Sequence, residues 1–254
     1  MFDAVLLDFY GTVVHEDDVV VEQICSDISR SAPHRVNATE IGRYWAASFS
    51  DRTGRSHGNR FRQQRRIEMD ALAATLAHFS SPLDADLLIG PLFEFWERPP
   101  AFPDALAFLA TVDVPVVVVS NIDRADITAA ITHHAFKFHD VVTSEDVRSY
   151  KPLSEPFRAG LEAAGSRPDR VLHIGDSLTS DVVGARRLGI PAAWVNRRGR
   201  PSPSIDTPTI EVSTLSGLAL TLQHETGLSE DTATSPTPQS DITARRPSTT
   251  RNSR

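Results

Sequence analysis

Five short apolar runs rich in β-branched residues, at about residues 3–8, 114–120, 139–143, 171–175 and 191–196, constrain this chain more than any other feature. Each is too short for a helix, lacks a polar face and stops at Gly, Pro or a polar residue, which is the pattern of a strand buried on both sides. Helical patterns separate the later runs. Pro103-Asp104-Ala105 leads into one through Leu109, Asp123 to His134 forms a second, Glu155-Pro156 opens a third ending at Gly165, and Ser180 to Leu188 forms a fourth ending at Gly189. Pro near a helix start and Gly just past its end follow the usual asymmetry. Strands alternating with helices predict βαβ units, and therefore an α/β fold with a Rossmann-like parallel sheet.

The stretch from about residue 15 to 98 shows no strand pattern and several helical ones. Asn37-Ala38-Thr39-Glu40 has capping-box spacing before a helix carrying Ile41, Tyr44 and Trp45, and Leu83 to Trp96 repeats apolar residues at helical spacing. Tyr44, Trp45, Phe93, Phe95 and Trp96 are candidates to line a pocket, although aromatics at such spacing more often serve packing. Arg52, Arg55, Arg60, Arg62, Arg65 and Arg66 make the middle of the insert basic. Each alone reads as a solvated residue; as a segment they are expected to send one or two guanidinium groups toward an anionic ligand. The expected division is a core of residues 1–14 and 99–225, a helical insert of 15–98, and a Ser/Thr/Pro/Arg-rich tail, 226–254, expected to be disordered.

Composition narrows the partners. A net charge of −7 argues against nucleic acid or an anionic membrane as the main partner. Cys25 is the single cysteine, so an intramolecular disulfide is impossible and a zinc cluster is not expected. No apolar stretch approaches the length of a membrane span and no signal-peptide pattern opens the chain, so a cytoplasmic location is expected. Oligomeric state is not legible. Lys137 and Lys151 are the only lysines beside abundant arginine, which makes a retained lysine chemically interesting.

Polar residues stand at four places where the α/β pattern puts the ligand crevice, outside the carboxyl ends of the strands. Asp8-Phe9-Tyr10-Gly11-Thr12 follows Ala4-Val5-Leu6-Leu7; Ser120-Asn121 follows Val116 to Val119; Ser149-Tyr150-Lys151-Pro152 precedes a helix; and Gly175-Asp176-Ser177-Leu178-Thr179-Ser180-Asp181 follows Val171 to Ile174. Singly, each reads as a turn, a cap or a surface residue. As an ordered set over roughly residues 1–225 they resemble the haloacid dehalogenase-like (HAD) hydrolase superfamily, in the subclass with a helical cap inserted after the first motif. The resemblance implies an α/β core with a mobile cap over the strand ends, and a small anionic substrate. It makes Asp8 the nucleophile, with Mg²⁺ held by Asp8, Asp176 and the backbone carbonyl of Tyr10. Lys151 neutralises the transferring group, Thr12, Ser120 and Asn121 bind substrate or nucleophile, and Asp181 acts behind them on metal waters or Lys151.

Tyr10 departs from the phosphatase pattern. Family phosphatases usually carry a second Asp there as general acid and base, and such catalysis is worth about 10²–10⁴ in rate. Asp-X-Tyr-Gly-Thr resembles the 2-haloacid dehalogenases, whose halide leaves without a proton. The Asp176 and Asp181 pair points instead to the Mg²⁺-dependent form. The sequence therefore favours a Mg²⁺-dependent phosphatase of small phosphorylated metabolites with an altered residue at catalytic position 10. A 2-haloacid dehalogenase comes second, and a non-catalytic scaffold binding a phosphorylated ligand third. His15 and Glu16 are alternative proton donors.

Overall fold

The computed structural model describes residues 2–201, 205 and 207–218. Strand β1 (Ala4–Leu7) is followed by five helices, α1 (Asp18–Ser31), α2 (Ala38–Gly54), α3 (Gln64–His78), α4 (Ala85–Leu88) and α5 (Gly90–Glu97). The chain then alternates α6 (Pro103–Thr111), β2 (Val116–Ser120), α7 (Arg124–His134), β3 (Asp140–Thr143), α8 (Ser144–Val147), α9 (Ser154–Ala164) and β4 (Val171–Gly175). A π-helical turn (Leu178–Val183), a short α10 (Gly184–Arg186), β5 (Ala192–Val195) and β6 (Ile210–Val212) complete the described elements.

All strand pairings are parallel, in the order β3-β2-β1-β4-β5-β6. Alternation along the strands assigns the two faces. Val5, Leu7, Val116, Val118, Leu172 and Ile174 pack with Ala105, Phe108 and Ile127 of α6 and α7, whereas Leu6, Val117, Val119 and Trp194 pack with Phe157 of α9 and Val182. Helices cover both faces, as fully apolar parallel strands require. Gly160 lets α9 lie directly on the sheet, because a Cβ there would stand 2.8 Å from Val119 Cγ2.

The five strands expected from sequence are present, β4 over the expected span and the other four trimmed by a residue or more. Strand β6 was not expected: it is three residues long, between Ser- and Pro-rich stretches, and it forms by pairing with β5. The helix expected over 83–96 is two, because Pro91 brings no N–H to the ladder and starts a new helix instead of continuing the old one. Asn37 caps α2 by accepting from the Glu40 N–H at 2.8 Å. Among the described residues, no helix is long and apolar enough to cross a membrane. Residues 226–254, the expected disordered tail, lie outside the described residues.

Candidate active site

The order of strands reverses around β1 and β4, so a crevice opens where their carboxyl ends diverge. Asp8 stands at that point. Its N–H continues the ladder to Ile174 O at 2.8 Å, and the following turn closes on Phe9 O, which accepts from Val13 and Val14. Gly11 has φ +86°, and a Cβ there would stand 2.6 Å from Asp176 Oδ1, so both conformation and space require glycine. Asp8 is 6% exposed, and both its oxygens are held: Lys151 Nζ donates to Oδ1 at 2.7 Å and Thr12 Oγ1 to Oδ2 at 3.2 Å. Burial pushes its carboxyl up to about 6 against the pull of Lys151.

Lys151 is placed from below. Asn121, just past β2, accepts from Lys151 N at 2.7 Å and donates to Lys151 O at 3.0 Å, so its amide clamps the lysine's backbone. The ammonium also donates to Asp181 Oδ1 at 2.6 Å. The two carboxylates hold Lys151 well above the usual lysine range despite its burial. Asp181 in turn lies well below the usual carboxylate range, because Lys151 and His173 outweigh burial. Its other oxygen accepts from Ser177 N at 3.0 Å. This reach-back needs the wider π-helical turn, closed by Val182 N on Ser177 O, where the sequence suggested an ordinary helix. It also needs Gly175, where a Cβ would fall 2.2 Å from Asp181 Cγ.

His173, inside β4, is a residue that the motif reading missed, although one imidazole in an otherwise apolar strand was its visible signal. Its Nε2 lies 3.0 Å from Asp181 Oδ1, while Nδ1 is buried without a partner. Burial holds the ring below its usual range, so it is neutral, and Nε2–H donation to Asp181 leaves Nδ1 as a bare acceptor.

Asp176 completes the acidic set. Ligand atoms of Asp8, Asp176 and Asp181 lie within 4.8 Å of one another, a spacing that fits one cation. Burial and the charges of Asp8, Asp181 and Glu16 push Asp176 up to about 8. Its carbonyl is fixed by Trp194 Nε1 at 2.8 Å, and Arg200 comes to 3.8 Å of its carboxylate. Three close carboxylates against one ammonium leave excess negative charge, and an oxygen-liganded divalent ion suits that donor set. The Tyr10 carbonyl accepts no hydrogen bond among the described residues, so it too is open to a ligand.

A cavity of about 420 Å³ covers these groups. Its floor includes Asp8, Ser120, Asn121, Lys151 and Asp176; its roof comes from the insert, including Asp17, Trp45, Phe49, Glu68 and Trp96. Thr12 is fully buried beneath Asp8 and does not reach the cavity. Tyr10 lines it, but its hydroxyl donates to Trp96 O at 2.5 Å, tying the turn to α5. Burial and the carboxylates of Asp126 and Asp17 drive its phenol far above the usual value. His15 stacks on Phe102 outside the cavity, whereas Glu16 lines it and pairs with Arg198.

The expectation for the insert's arginines is corrected. None of the six lines the cavity, where Lys151 is the only basic lining side chain among the described residues. Arg65 pairs with Asp126 and Glu97, Arg62 and Arg66 with Asp70, and Arg55 with Asp51, because each finds a nearer carboxylate on its own or a neighbouring helix. Of the aromatic candidates, Trp45 and Trp96 reach the cavity; Tyr44 stacks on His78 and Phe93 lies under Arg65. Glu68 and Asp17 were not singled out from sequence, since nothing local distinguishes them from other insert carboxylates.

Comparison with known proteins agrees with this architecture. The chain is 26% identical over 233 residues to the (S)-2-haloacid dehalogenase of Pseudomonas sp. (strain YL), covering 89% of this chain and 97% of that one. It is 32% identical over 143 residues to the phosphoserine phosphatase of Thermus thermophilus, covering 53% of this chain and 56% of that one. The L-2-haloacid dehalogenase from Xanthobacter autotrophicus superposes with a TM-score of 0.69 at 21% identity, over 88% of this chain and 99% of that one. The family model for haloacid dehalogenase-like hydrolases matches residues 2–189, and the chain belongs to that family.

Proposed function

We propose that the protein is a Mg²⁺-dependent phosphohydrolase acting on small phosphorylated molecules, with Asp8 as nucleophile. The observation that carries this reading is the convergence of Asp8, Asp176 and Asp181 within the span of one cation, with Lys151 the one cavity ammonium among the described residues. A haloacid brings a carboxylate of its own, and the arginines that would have received it face elsewhere. A divalent ion held by Asp8, Asp176 and the Tyr10 carbonyl would offset the charge of an incoming phosphoryl group.

In this reading an Asp8 oxygen forms a bond to phosphorus as the bond from phosphorus to the leaving oxygen breaks, giving an aspartyl phosphate that water hydrolyses. Lys151 and Thr12 hold the carboxylate against rotation, and Lys151 meets the phosphoryl charge. Ser120, whose hydroxyl has no partner among the described residues, is placed at the cavity to donate to a phosphoryl oxygen. Tyr10 is a strut: its proton is committed to Trp96 O, so the leaving group departs without one from this position. Acyl phosphates and acidic aryl phosphates are therefore the favoured substrates, and Tyr10→Asp narrows their advantage over alkyl phosphates in a kcat/KM series.

A second reading, 2-haloacid dehalogenase, is favoured by Tyr10 in the Asp-X-Tyr-Gly-Thr string and by near full-length similarity to a protein of that name. The deciding assay sets acetyl phosphate and 4-nitrophenyl phosphate beside 2-chloropropionate, with Mg²⁺ and with excess chelator. Phosphate release that needs Mg²⁺ supports the first reading. Full-rate chloride release in chelator replaces it with the second.

A further inference from the structure

The insert side of the cavity holds groups that the chemistry at Asp8 does not use. Glu68 of α3 is 8% exposed and lines the cavity, and the one charge bearing on it is Asp17, of like sign. Asp17 spends one oxygen on Trp96 Nε1 at 2.7 Å and has no cation beside it either. Trp45, 2% exposed, turns its indole N–H toward Glu68 without reaching hydrogen-bond geometry, so a buried donor stands unpartnered at the same place. Trp45, Phe49 and Trp96 form the surrounding wall.

A buried carboxylate, Glu68, beside a half-buried one, Asp17, with no counter-charge is costly unless a cation completes the pair. A bare metal ion is a poor candidate, because among the described residues three-carboxylate grouping occurs only at Asp8, Asp176 and Asp181, and aromatic walls repel a hydration shell. An organic ammonium suits both features, since carboxylates neutralise it and ring faces attract it. We propose that the leaving group of the substrate carries a cationic nitrogen, primary to quaternary ammonium, seated between Glu68, Asp17 and the Trp45, Phe49 and Trp96 wall. The assignment of the other end of the substrate, a phosphoryl group at Asp8 and Lys151, rests on the phosphohydrolase reading.

The test uses the full chain with Mg²⁺ and two small alcohols of equal shape, choline and its uncharged carbon isostere 3,3-dimethylbutanol. Binding is read by tryptophan fluorescence and by competition against 4-nitrophenyl phosphate hydrolysis. Choline is expected to bind at least tenfold more tightly than the isostere, with the preference erased in E68Q and reduced in D17N. Equal binding of the two alcohols to the unmodified protein overturns the subsite, whatever the variants do. Hydrolysis of 4-nitrophenyl phosphate without a choline preference rejects the subsite alone. Failure of that hydrolysis beside chloride release from 2-chloropropionate rejects the phosphohydrolase reading, while fluorescence still reads the subsite.

Discussion

Lys151 shows how much a single side chain carries here. Among the described residues it is the only positive side chain lining the cavity, and it bridges Asp8 and Asp181 at 2.7 and 2.6 Å, buried. Lys151→Met leaves two buried carboxylates uncompensated and is expected to cost about 3–5 kcal/mol at neutral pH, measured by urea denaturation, besides abolishing turnover. Lys151→Arg keeps the charge but brings a planar fork into a space shaped for an ammonium; activity is expected to fall at least about a hundredfold. Tyr10→Phe removes one hydrogen bond to Trp96 O, and a stability loss of about 1 kcal/mol with turnover retained would separate the strut from a proton donor. The motif spacing brought Asp8, Lys151, Asp176 and Asp181 to one place because strand ends of a parallel sheet converge by topology. It did not reveal that Asn121 serves the Lys151 backbone or that His173 stands behind Asp181, since those roles depend on side-chain direction.

At the scale of elements, the core fastens the insert at several places: Arg198 pairs with Glu16 and Asp18 at the start of α1, Arg148 O accepts from Gly58 N at 2.8 Å, and α3 is held at its first turn. Asp123, at the mouth of α7, accepts from Gln64 N at 2.8 Å and Arg65 N at 3.0 Å, so a core residue caps α3. The Arg65 Nε lies 2.9 Å from the fully buried Asp126, and the same guanidinium reaches Glu97 at 2.7 Å. Helix α5 packs on α7, while α1 and α2 rest on α3 and α5. If the insert acts as a lid, Arg65→Ala should loosen its attachment at α3. The expected cost is about 2 kcal/mol by thermal denaturation, less than for a wholly buried pair because Arg65 is partly exposed. Amide exchange in α3 should rise in the same variant; unchanged exchange would mean that apolar packing alone holds the helix. The sequence showed the helices of the insert through their apolar spacing, but not this anchoring, because Asp123 and Gln64 are far apart along the chain.

For the whole molecule, the buried carboxyls make stability fall toward alkaline pH. Burial raises Glu68 from its usual 4.5 to about 8, so the fold binds this proton more tightly than the unfolded chain. The resulting stabilisation is complete below about pH 4 and is lost as pH rises through about 8, a difference on the order of a few kcal/mol. Glu68→Gln should therefore flatten the profile and leave the variant more stable than its parent at pH 9, by denaturant midpoint in the absence of ligand. The parallel sheet was legible because fully apolar runs demand helices on both faces; β6 was not, because three residues carry no period. One consequence reaches beyond catalysis. Since the amide groups that begin α3 find their acceptor in Asp123, outside the insert, the insert is not a self-contained cassette. A chimera that grafts residues 15–98 onto a sister scaffold inherits a helix missing its first two acceptors unless a carboxylate travels at position 123, and recombination within the lineage must carry the two segments together.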